Sequence, residues 1–283
     1  MENEMLKRII TAVVGIAVLM PFIIFSDKWP LVVLSLVMAV PAVCEILACT
    51  GQSKKWVIAV PSILVAAAAQ LLTRVLKSDV YTTAMLLIYL AYVVLMMTAA
   101  VFSKGGIKLK DVTQTSVMVM YTSFGFASLV LLRDLKYGMV LMLLAFLIPW
   151  VCDSSAYFVG VFFGKHKLIP DVSPKKTVEG AIGGIVGVVV ITAIFGVVMH
   201  YGFGKQPNYL LLIALALIGG FVSQWGDLIA SLLKREYGVK DYGKIFPGHG
   251  GIMDRFDSLV VVSTFIYIVC RVLNNITPLF ITW

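Results

Sequence analysis

The run SLLKREYGVKDYGKIFPGHGGIMDRFD, Ser231 to Asp257, packs acids, bases and glycine into 27 positions of an otherwise apolar chain. Asp254 and Asp257 are three residues apart, which puts both carboxylates on one face of a helix start. The positive end of the helix dipole favours their ionised form there. Hard oxygen ligands of this kind suit Mg2+, which usually binds one or two carboxylates together with substrate phosphates. Just before them, Pro247–Gly251 reads PGHGG, a stretch whose glycines permit positive φ and let backbone N–H groups, those of Gly250 and Gly251 included, approach an anion closely. Lys234, Arg235, Lys240, Lys244 and Arg255 add the charge that phosphate requires. His249, inside the glycine run, is a candidate for a catalytic role. His166 and His200 are scattered and make no zinc site. The chemistry indicated is the handling of a phosphorylated ligand beside a divalent cation.

Two further stretches extend this set. Asp227 forms an i, i+4, i+8 stripe with Ser223 and Ser231, and Lys234 continues that face. An ionisable group in a membrane span costs about 2.5–3.5 kcal/mol on insertion scales, so it needs a partner or a polar cleft. Asp227 is therefore read as an ion ligand, joining Asp254 and Asp257. Asp153 reads similarly but has Ser154 and Ser155 to satisfy it, and Glu45 reads as a buried structural group. In the segment GKHKLIPDVSPKKTVEG, residues 164–180, the spacing predicts a helix capped by Ser173 with Pro174 at its first position. Lys175, Lys176 and Thr177 then fall in the first turn, where lysines make sense if an anion binds.

The elements that position these residues must be membrane helices. The chain has 283 residues, 60% hydrophobic and 13% charged, with mean hydropathy +0.97. A water-soluble globule carries about 25% charged residues, and a disordered chain needs high net charge with few apolar residues, so both are excluded. Apolar runs long enough for a bilayer lie near 9–25, 31–49, 56–73, 80–102, 112–132, 138–164, 178–199, 209–233 and 254–280. They show no alternation of period two, so the fold class is all-α and polytopic, with nine spans. The first run follows Lys7 and Arg8, with no small-residue cleavage site behind it, and reads as retained. An N-in, C-out arrangement puts sixteen of the 23 Lys and Arg on the cytoplasmic side. Residues 1–137 then form a scaffold of five spans. Residues 138–283 form a catalytic region of four spans with cytoplasmic loops at 165–177 and 234–253. The net charge of +8 suits anionic lipid or phosphorylated ligands; the bases are too dispersed for a nucleic-acid surface. Cys44, Cys49, Cys152 and Cys270 lie in apolar runs with no metal spacing.

The run from Ser231 to Asp257 resembles the signature of the phosphatidate cytidylyltransferases, or CDP-diacylglycerol synthases. The matching positions are Ser231, Lys234–Arg235, Lys240–Asp241, Gly243, Pro247, His249–Gly251, Asp254–Arg255 and Asp257. Asp153, Ala156, Tyr157, Gly160, Ser173–Thr177, Glu179 and Gly180 also look like that family. The resemblance covers 145–260 closely and the N-terminal half only in hydropathy. It has Val161 where the family often has Arg, and Val178 where Trp is frequent. The resemblance implies transfer of the cytidylyl group of CTP to phosphatidic acid, giving CDP-diacylglycerol and pyrophosphate. It implies Mg2+, with a second cation as an option, held by Asp227, Asp254 and Asp257. Lys234, Arg235, Lys240 and Arg255 are expected to hold phosphates, as are Lys175 and Lys176. Ser231, Gly250 and Gly251 belong to the same substrate set. Asp241 and His249 are expected to order the glycine loop or orient pyrophosphate. The expected setting is the bacterial inner membrane, with the site on the cytoplasmic face and a second copy of the chain as partner. Two other readings fit the residues less well: a CTP-dependent polyprenol or phytol kinase, and an ion-coupled transporter with Asp153 and Asp227 on its path.

Overall fold

A computed structural model of the chain describes Pro21, residues 29–246, Gly248, residues 250–273 and residues 279–281. Eight of its helices are long and apolar enough to cross a membrane: α1 (Trp29–Cys49), α2 (Trp56–Val75), α3 (Ser78–Phe102), α4 (Leu109–Arg133), α5 (Gly138–Phe163), α6 (Val178–Phe203), α7 (Tyr209–Glu236) and α8 (Met253–Leu273). Each coincides with an expected span to within a few residues at most ends. The expected first span, 9–25, lies outside the described residues apart from Pro21. Four short strands supplement the helices: β1 (Lys167–Ile169), β2 (Ser173–Thr177), β3 (Gln206–Pro207) and β4 (Phe280–Ile281), paired antiparallel as β1–β2 and β3–β4.

Three boundaries differ from expectation. Helix α7 runs on to Glu236, so Lys234 and Arg235 are helical and the loop starts after them. Basic residues in a last turn complement the negative end of the dipole, which favours this extension. Helix α8 is described as far as Leu273, and Phe280, at the expected end of the last span, lies in β4. Most informative is Ser173–Thr177, which is a strand and not the first turn of a helix. Helix α6 starts at Val178, with Thr177 as N-cap accepting from the Gly180 N–H at 3.1 Å. A start at Ser173 would set two lysines against the positive helix end; a start at Val178 sets Glu179 there instead. The Glu179 carboxylate also accepts from the backbone N–H groups of Lys165 and His166, fastening the base of the β1–β2 hairpin.

The chain divides into two compact units, each discontinuous. The first is 1–131 with 234–256, and the second is 132–233 with 257–283. The loop after α7 belongs with the N-terminal helices in the first unit. Within the first unit, buried polar side chains tie the spans: Ser35 of α1 donates to Gln70 of α2 at 2.6 Å, and Gln70 donates to the Ser123 carbonyl of α4 at 2.9 Å. Such bonds hold helices together where lipid offers no hydrophobic drive. Within the second unit, α5 and α6 pack through small residues, and a methyl at Gly180 would stand 2.7 Å from the Ala156 carbonyl oxygen.

Candidate active site

The first unit holds the Gly-rich run and its supports. After α7 the backbone folds into a turn in which Phe246 N–H donates to the Gly250 carbonyl at 2.8 Å. Gly248 and Gly250 have φ of 77° and 83°, which only glycine takes without strain. Pro247 and His249 lie outside the described residues.

Asp254, in the first turn of α8, closes this turn from below. Its Oδ2 accepts from the N–H groups of Tyr242 at 2.7 Å and Gly251 at 2.9 Å. Its Oδ1 meets Lys234 Nζ at 2.8 Å, with side chains only 3% and 11% exposed. Lys234 also stands over the Tyr242 ring, 5.4 Å from its centroid. Asp254 thus orders the loop through these bonds. Asp241 is exposed, as are Arg235, Lys240, Lys244 and Arg255. A second carboxylate reaches the same turn from α1: Glu45 accepts from Ile252 N–H and Met253 N–H, both at 2.9 Å. At the end of α7, Tyr237 donates to Gln114 of α4. Burial, with Asp111 adding to it, pushes the Tyr237 hydroxyl up to about 12, so it keeps the proton it donates.

The second unit holds the other half of the expected set. Asp227 of α7 forms an ion pair with Lys176 of β2, both side chains about a quarter exposed. Ser223, one turn earlier, is fully buried beside Cys152 of α5. Gln224, beside it, donates to the Ala181 carbonyl at 2.8 Å and so holds α7 to α6. Gly226 lets α7 lie against α8: a methyl there would stand 2.9 Å from the Asp257 carbonyl oxygen and 3.0 Å from Ser258 Cα. The buried Asp257 carboxylate accepts from the Ser258 N–H at 2.7 Å. Ser231 is buried, Lys175 exposed, and Asp153 exposed on α5.

Among the described residues, no three His, Cys, Asp or Glu side chains form a cluster that could hold a metal alone. The donor set nevertheless fits Mg2+, which takes one or two carboxylates and leaves its other positions to water and phosphate. Asp227 offers a part-exposed carboxylate already neutralised by a cation, Lys176, and Asp257 lies on the helix that Gly226 admits.

Sequence reasoning brought Lys234, Asp254, Lys176 and Asp227 forward singly, without pairing them. It missed Tyr242 and Gln224, and it left Glu45 outside the site. The signal for Glu45 was present, since it is the one acid inside the expected spans before residue 138.

Comparison with known proteins covers the whole of this region. The model of the cytidylyltransferase family matches residues 6–273. A phosphatidate cytidylyltransferase of Bacillus subtilis (strain 168) is 36% identical over 271 residues, covering 93% of this chain and 97% of the relative. One from Staphylococcus haemolyticus (strain JCSC1435) is 33% identical over 256 residues, covering 90% and 95%. One from Staphylococcus aureus (strain COL) is 41% identical over 176 residues, covering 62% and 65%.

Proposed function

The chain belongs to the cytidylyltransferase family, and on that premise we propose that it transfers the cytidylyl group of CTP to phosphatidic acid, making CDP-diacylglycerol and pyrophosphate. A phosphate oxygen of phosphatidate attacks the α-phosphorus of CTP, and the bond to the β-phosphate oxygen breaks. The nucleophile is already anionic near neutral pH, so no strong base is needed; positioning and charge neutralisation dominate.

The observation that carries this reading is the Gly-rich turn fastened by Asp254 to Lys234 and to the Tyr242 and Gly251 N–H groups, inside the run that resembles the family's signature. The exposed Arg235, Lys240 and Arg255 hold CTP phosphates, and Lys175 and Lys176 meet phosphatidate or triphosphate. Asp227 and Asp257 are the residues that would hold Mg2+, whereas the expected third ligand, Asp254, is engaged by Lys234 and by the Tyr242 and Gly251 N–H groups. When bound, that ion withdraws charge from the phosphate oxygens and favours departure of pyrophosphate. Lys176, paired with Asp227 in this structure, would turn to a phosphate when substrate binds. A second cation, a homodimer, residence in the inner membrane and a site open to the cytoplasm belong to the same proposal.

The relatives' names do not favour the kinase or transporter readings. The test is label transfer by the purified protein, with CTP labelled at the α- or γ-phosphate. Chloroform-soluble label from the α position alone is expected. Label from the γ position would identify a lipid kinase, and none from either would overturn the enzyme reading.

A further inference from the structure

Glu45 sits four residues from the end of α1, 7% exposed, in a helix with no other acid or base. An ionisable group there is costly and persists when something repays it. Its two oxygens accept separately from Ile252 N–H and Met253 N–H, groups 207 and 208 residues away. These belong to the start of α8, where the first N–H groups of a helix have no partner inside it. A local Ser, Thr or Asp normally caps such an end. Here the cap comes from another span, so it fixes the helix start to α1 as well as satisfying it.

Two glycines make room for this carboxylate. A methyl on Gly243 or on Gly251 would overlap Glu45 Oε1. Neither has a positive φ, so the backbone does not demand glycine; the volume of Glu45 does. Asp254, one residue past Met253, closes the other side of the turn through Tyr242 and Gly251. The Gly-rich turn is thus clamped between two carboxylates. Glu45 also fills the helix end that an anion would otherwise take, which leaves phosphate to the exposed Arg255 and Lys240.

We propose that Glu45 is a positioning residue for the transfer reaction: it sets the Gly-rich turn and the first turn of α8 in the geometry that receives CTP and Mg2+. This rests on the reading that the chain is a CTP-using cytidylyltransferase. Glu45→Gln keeps the volume but turns one acceptor into an N–H donor facing a backbone N–H. The full-length protein in detergent micelles is assayed with α-labelled CTP. KM for CTP and the Mg2+ concentration for half-maximal rate are each expected to rise about tenfold, the effect of one lost charge-assisted hydrogen bond. A role limited to stability lowers the melting temperature and the active fraction, and leaves both constants at wild-type values; that result overturns the proposal. Should Glu45→Gln fail to fold, Gly243→Ala answers the same question by displacing the carboxylate without removing it. Its KM for CTP should rise similarly, and much less in a Glu45→Ala background. Equal effects of Gly243→Ala with and without Glu45 also overturn the proposal. A wild-type protein that transfers no label defeats both this inference and the reading beneath it. Wild-type transfer with unchanged Glu45→Gln constants defeats the inference alone.

Discussion

Replacing Asp254 by Asn removes one charge from a pair that has almost no access to water. The Lys234 and Asp254 side chains are 11% and 3% exposed and meet at 2.8 Å. At an effective dielectric of about 20, unit charges about 4 Å apart attract by roughly 4 kcal/mol, before desolvation is subtracted. Removing one member of a buried pair costs about 3–5 kcal/mol, chiefly because the other charge is stranded. Asn retains an oxygen for the Tyr242 and Gly251 N–H groups, so Asp254→Asn should cost about 3 kcal/mol, at the lower end of that range. Lys234→Met leaves a carboxylate that still accepts two backbone bonds, and should cost less, about 2 kcal/mol. The double variant strands no charge and should cost about 3 kcal/mol in total, a coupling of about 2 kcal/mol. Melting of the four proteins in one detergent, at one scan rate because unfolding in micelles is commonly irreversible, measures this. Losses that simply add, or an Asp254→Asn protein that melts with the wild type, would refute the argument that the pair holds the turn.

Asp227→Asn should lose most activity while melting within a few degrees of the wild type, because its pair with Lys176 is part-exposed and such pairs contribute about 0–1 kcal/mol; full activity at limiting Mg2+ would make Asp227 structural. Gly226→Ala should destabilise by about 1–3 kcal/mol, since the added methyl would lie 2.7 Å from Val261 Cγ2 and force α7 and α8 apart; thermal melting in detergent measures it, and a wild-type melting curve would disprove the close approach. Single cysteines at Lys167 and Lys244, in a background freed of the native ones, should react with an impermeant reagent only after cells are opened. Ready labelling of intact cells would invert the orientation drawn from the Lys and Arg distribution.

Periodicity and hydropathy carry information about local structure, and what they located was local. The positions of eight spans follow from runs of Leu, Val, Ile and Ala, because each helix satisfies its own backbone within lipid. Asp227, Asp254 and Lys234 stood out because charges in or beside such runs are costly. The start of α6 was misplaced because two caps compete within five residues. Ser173 has Pro174 behind it, as a helix start prefers, whereas Thr177 places Glu179 in the first turn, and the second arrangement also closes the hairpin on Lys165 and His166. That hairpin depends on pairing across a turn, which no helical or alternating pattern announces. Glu45 marks the harder limit. Its type and position in a span said that it must have a partner, and nothing near it in sequence could be one. The partner is a pair of backbone N–H groups, which every residue but proline possesses, so no side-chain type could have identified it. What the sequence did hold was the complementary trace, Gly243 and Gly251 at positions where neither backbone angle requires glycine. A glycine without a conformational reason leaves room for something, and here the occupant is a carboxylate from a helix 200 residues earlier.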